Sequence, residues 1–387
     1  MNLCIFGQAT GGNAALWFDF LNRHLHEFPE LNSLTLLCRT PCTLEAKFPT
    51  VRPYGSGGIP PGIYRLYAPW VKRAGLRLAA HRLARRQDFD VLHLQGNYFP
   101  ALNRTIVETF RKPFVLNIYG SDFYQSFLGG KFSPSDTDRF HEIVQRADAI
   151  TCNWLTTERD FLKSFPAARN KCRTIVWGVG EPWFRPVPRL TGWPEAEKVF
   201  LSARGLYEYN NIHLVTEAFC RAFASKPRYK LFIVNGYGNH PAAVKKVQEI
   251  IVRHRAEDRV IMKVGRWIPD EEIMALYQRA DYNINFGTTD QLSVSIIYGL
   301  IKKAVNILSP LPNYADLRAS GFRSIRIVPT ISVEALEHAF RQSLEVPGDD
   351  IEHDARRARE QFNMHIAFRH YLDLYRSLST RSALPPT

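Results

Sequence analysis

Five stretches of this 387-residue chain carry residue types suited to holding an anion. Gly11-Gly12 stands after an apolar run and ahead of a helical stretch. Glycines there let backbone amides and the positive end of a helix approach a phosphate closely, and a plain tight turn accounts for the pair equally well. Tyr119-Gly120-Ser121-Asp122 follows the apolar run Phe114–Ile118, either as a site turn or as a turn whose Asp122 caps a helix. Gly236-Tyr237-Gly238 and Gly265-Arg266-Trp267 each close a further apolar run. Gly287-Thr288-Thr289-Asp290-Gln291-Leu292-Ser293-Val294-Ser295 joins Tyr282–Phe286 to a helix through Leu300, and its small polar residues make another anion seat at a helix start. Two Asp-x-Asp triplets, Asp88-Phe89-Asp90 and Asp136-Thr137-Asp138, match a metal-binding pattern superficially. The first leads into a strand and the second starts a helix, so no metal or cofactor is expected.

These stretches need strands to place them. Short apolar or β-branched runs alternate with helical stretches, the signature of parallel βα units, and ligands of such sheets bind beyond the carboxyl ends of the strands. The first half predicts strands at Leu3–Phe6, Leu34–Cys38, Val91–Leu94, Phe114–Ile118, Ala149–Asn153 and Thr174–Trp177. The second predicts Val199–Ala203, Lys230–Asn235, Val260–Val264, Tyr282–Phe286, Ala304–Leu308 and Ile325–Val328. Two doubly wound α/β domains follow, with a boundary in the Pro- and Gly-rich stretch Gly178–Pro188, which extends neither a helix nor a central strand. The expected domains are 1–180, 190–360 and a C-terminal helix and tail over 361–387 that packs back toward the first. In that helix Phe368, Leu372 and Tyr375 recur at three-to-four spacing, and Ser379–Thr387 is expected to fray.

Apolar residues at 45% and charged residues at 22% exclude a disordered or collagen-like chain. No apolar run is long enough to span a membrane, and Met1–Gly7 lacks the features of a secretory signal, so a cytoplasmic protein is expected. Six scattered cysteines suit reduced, buried thiols. With 50 basic against 37 acidic residues the net charge is +13, which favours polyanions. Ile63–Arg86 holds Arg65, Lys72, Arg73, Arg77, Arg82, Arg85 and Arg86 with no acidic residue, interleaved with Tyr64, Tyr67 and Trp70. That mixture suits an anionic membrane surface or an acceptor surface, or simply a solvated basic helix. On a helical wheel Tyr67, Val71, Ala74 and Leu78 share a face opposite Arg73 and Arg77. No nucleic-acid-binding signature accompanies the charge, and no nucleic acid is expected as a partner.

The ordered set of motifs resembles the retaining GT-B glycosyltransferases, in particular the GT4-like group that uses nucleotide-sugar donors. Ser202-Ala203-Arg204-Gly205-Leu206 followed by Glu217-Ala218-Phe219 resembles the family's arginine-bearing segment and its "EAF" helix. Gly236-Tyr237-Gly238 is similar to its glycine pair, and Val264-Gly265-Arg266-Trp267-Ile268 through Glu272, Leu276-Tyr277 and Ala280-Asp281 to its next conserved stretch. In the first half Gly11-Gly12, Asp90-Val91-Leu92-His93 and Gly120-Ser121-Asp122 occupy family-like places. The resemblance implies two Rossmann-like domains with a cleft between them and a nucleotide-sugar donor; the basic, aromatic-rich segment suits an acceptor that is a lipid-linked saccharide or a cell-surface polysaccharide precursor at the inner face of a membrane. The resemblance also implies catalytic roles for Arg204, Asp290 and Asp122. Donor contacts would come from Gly11, Gly12, Asn210, Gly236, Gly238, Arg266, Trp267, Leu292, Ser293 and Tyr298, with Arg65, Trp70, Lys72, Arg73 and Arg77 facing membrane or acceptor.

The sequence departs from the family at two places. The family's Glu-x7-Glu motif aligns with Asp290 and Tyr298, so a shorter acid replaces the first carboxylate and a phenol the ribose-binding second. A family lysine that helps neutralise the leaving diphosphate aligns with Asn210; Arg266, Lys302 or Lys303 would have to replace it. Two other functions stay open on this basis: a catalytically silent GT-B protein that binds a nucleotide sugar or a partner transferase, and a sugar-nucleotide epimerase.

Overall fold

A computed structural model describes residues 1–7, 12–38, 47–51, 69–86, 88–188, 191–235, 239–265 and 268–382; for 12–16, 51, 69, 70, 72, 381 and 382 it describes the backbone only. The chain forms two compact units. One comprises Met1–Trp177 together with the C-terminal segment that begins at Met364, and the other Gly178–Asn363.

The first unit is a parallel sheet of seven strands in the order β3-β2-β1-β4-β5-β6-β7. Its strands are β1 (Asn2–Gly7), β2 (Ser33–Cys38), β3 (Thr50–Val51), β4 (Val91–Gln95), β5 (Phe114–Ile118), β6 (Ala149–Cys152) and β7 (Cys172–Thr174). Helices α1 (Gly12–His24), α2 (Pro69–Arg86), α3 (Pro100–Phe110), α4 (Pro134–Arg146) and α5 (Leu155–Ser164) connect them. Strands covered on both faces read as near-continuous apolar runs, which is why β2 and β5 were legible. Two residues of β3 are too few to show periodicity.

Two expectations are corrected. The last strand of this sheet is Cys172–Thr174, not Thr174–Trp177, because the chain leaves the ladder after Ile175: the Trp177 N–H donates to Asn153 Oδ1 at 2.8 Å, and its ring stacks on Trp17. In α2 the buried face is Leu76, Ala79, Ala80 and Leu83. Ala74 and Leu78 point outward with Arg77, Arg82, Arg85 and Arg86, so the proposed stripe through Val71, Ala74 and Leu78 is not the packed one. Arg73 is tied to α3 through Nε, which donates to Thr105 Oγ1 at 3.2 Å. Arg65 lies outside the described residues, and only the backbone of Trp70 and Lys72 is described.

The second unit is a six-stranded parallel sheet in the order β10-β9-β8-β11-β12-β13. It is built from β8 (Lys198–Ser202), β9 (Tyr229–Asn235), β10 (Val260–Val264), β11 (Tyr282–Asn285), β12 (Val305–Leu308) and β13 (Ile325–Ile327). Its helices are α6 (Ile212–Ala222), α7 (Pro241–Arg253), α8 (Asp270–Arg279), α9 (Val294–Ile301), α10 (Pro312–Ala319), α11 (Val333–Ser343) and α12 (Gly348–Gln361). Helix α9 is apolar all round because all but Ser295 of its residues are buried. It crosses β11 and β12 where Asn283 and Asn306 share a 2.7 Å hydrogen bond, and a Cβ on Gly299 would come within 2.7 Å of both amides. Only glycine fits that crossing.

Helix α13 (Met364–Ser382) belongs to the first unit and stays helical past Ser379, where fraying was expected. Phe368, Tyr371, Leu372 and Tyr375 pack into one core with Trp17, Trp177 and the β1–β2 side chains. Each such buried aromatic contributes about 1.5–3 kcal/mol, and here they hold a helix whose sequence is remote from the sheet it covers. Beneath it, His93 of β4 meets the Tyr375 hydroxyl at 2.6 Å through Nδ1. The cysteines described are unbonded and buried. Among the described residues no helix is long and apolar enough to cross a membrane.

Burial lowers the His93 pKa from 6.5 to about 3, so the folded chain holds a neutral imidazole. Below pH 6.5 the unfolded chain takes up a proton that the folded chain refuses, and stability falls by about 1.4 kcal/mol per pH unit across that window. Urea unfolding at pH 7.0 and at roughly one unit below 6.5 should show this loss, and His93→Asn should flatten the slope whatever it does to absolute stability.

Candidate functional site

In the second sheet β8 lies beside β11, and the chain order reverses between them: β9 and β10 extend to one side, β12 and β13 to the other. In doubly wound sheets such a reversal, beyond the carboxyl ends of the strands, is the place where ligands bind. Arg204 comes two residues after β8. Asp290 and Ser293 come from the β11–α9 loop, Ser293 as the N-cap of α9.

These residues meet. Arg204 Nη1 donates to Ser293 Oγ at 2.6 Å and lies 3.5 Å from Asp290 Oδ2. Tyr314, in the first turn of α10 after β12, donates its phenol proton to the same Asp290 oxygen at 2.8 Å. The two loops are stitched together by the Thr288 N–H, which donates to the Tyr209 carbonyl at 2.8 Å, and by Asn211 Nδ2, which donates to the Phe286 carbonyl at 3.0 Å. A Cβ at Gly205 would strike the Tyr207 ring at 2.8 Å, so glycine there lets the loop fold back behind Arg204. Tyr207 and Tyr209 stack in parallel, 5.4 Å between centroids, with Tyr209 reaching solvent.

Burial raises the Asp290 pKa, while Arg204, the Tyr314 phenol and the Gln291 amide oppose the rise. Burial also works against the charge of Arg204, but the Asp290 carboxylate and the surrounding phenols outweigh it and hold the guanidinium above its ordinary value. The Tyr314 hydroxyl is pushed up well beyond the ordinary phenol range by burial and by the neighbouring carboxylate. The result is a fixed guanidinium, a fixed carboxylate and a protonated phenol at the amino end of α9, able to bind a phosphate and a hydroxylated ligand side by side.

Other predicted residues lie differently. Asn210 is buried; its Nδ2 donates to the Gly205 carbonyl at 2.8 Å, so it braces the Arg204 loop. Leu292 is buried beside Ser293. Tyr298 is 9% exposed, stacked face to face on Trp183 with centroids 3.3 Å apart and edge-on to Tyr277. Lys302 donates to the Arg185 carbonyl at 2.6 Å and Lys303 pairs with Glu352 at 2.6 Å; both lie past the C-terminal end of α9, whereas Ser293 opens its amino end, so neither replaces the missing lysine. Gly11, Gly236, Gly238, Arg266 and Trp267 lie outside the described residues, and Gly12 opens α1.

In the first unit Asp122 is fully buried. Its carboxylate accepts the N–H groups of Asn97 at 2.8 Å, Tyr119 at 3.0 Å and Phe123 at 3.1 Å, joining the loops after β4 and β5. It leads into a π-helical turn, Ser121–Phe127, and burial raises its pKa to about 6 against those amides. Its oxygens are occupied by backbone, so its place in the fold is that of a brace. The sequence reading missed Tyr314. Its signal was available: Ser309-Pro310-Leu311-Pro312 marks one more loop and helix start after a predicted strand.

Two Rossmann-like units in series, each with its strand order reversed between its first and fourth strands, give the chain the GT-B fold. No protein-family model and no curated protein matches the sequence. Solved structures match over nearly the whole chain. HepE of Anabaena, in a complex with UDP, is 13% identical with a TM-score of 0.73, covering 98% of this chain and 100% of that one. A glycosyltransferase from Rickettsia africae is 14% identical with a TM-score of 0.74 over 97% and 98%. Sucrose-phosphate synthase from Thermosynechococcus elongatus is 15% identical with a TM-score of 0.73 over 98% and 99%.

The aromatic packing around Tyr298 sets a test. Tyr298→Glu should bury a carboxylate against Trp183 and cost at least 2 kcal/mol or so, read as a melting point several degrees lower, whereas Tyr298→Phe keeps the stack and loses far less. A well-folded Glu variant that binds nucleotide more tightly would instead place Tyr298 on the donor.

Proposed function

We propose that the chain is a glycosyltransferase of the GT4-like kind, moving a sugar from a nucleoside-diphosphate donor to a saccharide acceptor with retention at the anomeric carbon. The observation that carries this reading is the Arg204–Asp290 pair at the strand-order reversal of the second sheet, in a chain whose fold matches HepE structures solved with UDP and with UDP-glucose.

On this reading the bond between the anomeric carbon and the β-phosphate oxygen breaks, and negative charge builds on that oxygen. Arg204 and the amino end of α9 hold the charge, already in place and partly removed from water. Asp290, oriented by Tyr314, accepts hydrogen bonds from sugar hydroxyls. The acceptor hydroxyl forms its new C–O bond on the face the phosphate leaves, and its proton passes to the departing phosphate oxygen. That route asks for no second carboxylate acting as nucleophile, and none stands among the described residues joined to the Arg204 cluster.

The acceptor is a lipid-linked saccharide or a cell-surface polysaccharide precursor. What supports it is the outward face of α2, where Arg77, Arg82, Arg85 and Arg86 are exposed together with Leu78 at 41%. Such a face suits an anionic leaflet, each cation adding about 1 kcal/mol near the surface. One observation favours the catalytically silent alternative: Asn210 braces a carbonyl and brings no charge to the diphosphate.

Arg204→Ala should lower kcat/KM by about 10²–10³-fold on an active nucleotide sugar, the scale for one stabilising donor. The lone Asp290 left behind will also cost stability, so Arg204→Ala/Asp290→Asn should recover most of the melting point and none of the activity. Steady-state kinetics with a donor panel, alongside thermal melts, reads both. Turnover of donor without acceptor would point to the epimerase, and tight binding without turnover on a broad acceptor panel to the silent protein.

Co-sedimentation with anionic vesicles should fall several-fold in Arg77→Glu/Arg85→Glu and fade as salt rises. Binding that ignores both charge reversal and vesicle composition removes the membrane from the proposal.

A further inference from the structure

A second cluster sits in the first unit. His24 ends α1, Glu27 closes the single 3-10 turn Leu25–Glu27 that follows, and His365 lies in the first turn of α13. Glu27 and His365 are 338 residues apart in sequence, yet Glu27 Oε2 is 3.1 Å from His365 Nε2, while Oε1 is 2.7 Å from His24 Nδ1. One donor atom from each of the three side chains lies within 4.8 Å of the other two. The imidazoles meet edge to face with centroids 4.5 Å apart. Phe20 backs both, stacked on His24 at 4.9 Å and edge-on to His365 at 4.8 Å.

We propose that His24, Glu27 and His365 form a structural site for a divalent transition-metal ion, Zn²⁺ in the first place. Two imidazole nitrogens and one carboxylate oxygen are the donor set of a borderline ion; Ca²⁺ and Mg²⁺ would require more oxygens than the cluster offers. Tetrahedral Zn²⁺ with bonds of about 2.0–2.1 Å needs its donors about 3.4 Å apart. Glu27 now offers a different oxygen to each ring, so one of its oxygens must turn to serve both nitrogens as the donors settle to that spacing, a motion within reach of side-chain torsions. The nitrogens that would bind are those already facing the carboxylate, so the ion takes the place of the hydrogens now shared there. Phe20 orients both rings and supplies an apolar wall, while the exposed Glu27 leaves the remaining coordination position to water.

The position gives the site a purpose. His365 follows the first residue of α13, where the chain rejoins the first unit, so an ion there staples the start of α13 to the end of α1. Arg376 and Glu30, 2.7 Å apart, form a second tie farther along the same helix. An ion that binds the folded chain and not the unfolded one stabilises it in proportion to the logarithm of its concentration over Kd.

The test uses the untagged full-length protein, stripped with chelator and titrated with ZnCl₂ by calorimetry and by thermal melts. The expected result is one Zn²⁺ per chain and a melting point that rises with Zn²⁺ and returns on adding EDTA. His24→Ala and His365→Ala should each weaken binding about tenfold or more, Glu27→Gln likewise, and the exposed control His26→Ala not at all. Protein loaded with Co²⁺ should show the intense visible bands of a four-coordinate ion, absent in His365→Ala. Where an alanine variant fails to fold, His365→Gln is read instead. No melting shift in wild type, or Zn²⁺ binding unchanged in His365→Ala or His365→Gln, overturns the proposal and leaves a hydrogen-bonded His–Glu–His clasp.

Discussion

Taking a carboxylate and a guanidinium out of water is expensive, and the second unit sets the two against each other where Arg204 faces Asp290. Neither charge is stable there alone: burial pushes the carboxyl toward its neutral form and works against the guanidinium as well. The surrounding architecture reads as compensation. Tyr314 gives Asp290 a phenol donor, Ser293 takes one Arg204 hydrogen, and Asn210 holds the Gly205 carbonyl and so braces the loop. Three consecutive strand ends, β8, β11 and β12, are thereby committed to one small volume. On the proposed reading, an incoming phosphate gives the guanidinium a partner with more charge than Asp290 supplies.

The first unit repeats the topology with other side chains at its strand ends. At its own reversal point, between β1 and β4, the polar groups described are neutral or turned inward: Gln95 takes the Tyr119 hydroxyl, Tyr98 meets Ser121, and Asp122 is spent on three backbone amides. A neutral, aromatic and amide-rich end suits hydroxylated ligands better than phosphates. Among the described residues, the same sheet topology thus carries different side chains on its loops in the two units.

How far the sequence reached follows from the reach of each interaction. Buried parallel strands were legible because their signal is local, a short run of β-branched and apolar residues, and the strands of both sheets lie close to where that signal put them. Arg204, Asp290 and Ser293 were found because the family resemblance fixed their order along the chain, and the structure brings them within hydrogen-bond or ion-pair distance. What stayed hidden depends on partners far away in sequence. Nothing near His93 signals the Tyr375 hydroxyl that meets it, nothing near Glu27 signals His365, and the face that α2 buries was decided by the sheet beneath it rather than by its own weak periodicity.

Tyr298 shows why such a departure from a family pattern is not an isolated substitution. Its ring lies flat on Trp183, which belongs to the short turn Glu181–Phe184, and Tyr277 of α8 closes the stack from the side. A carboxylate at 298 would face two aromatic rings, and a smaller residue at 183 would take away the ring that Tyr298 stacks on. The phenol at 298 and the indole at 183 are therefore one packing decision written at two places. On the proposed reading, it moves the work of fixing the donor away from this position and onto Asp290, whose shorter side chain is brought to bear by a phenol of its own, Tyr314.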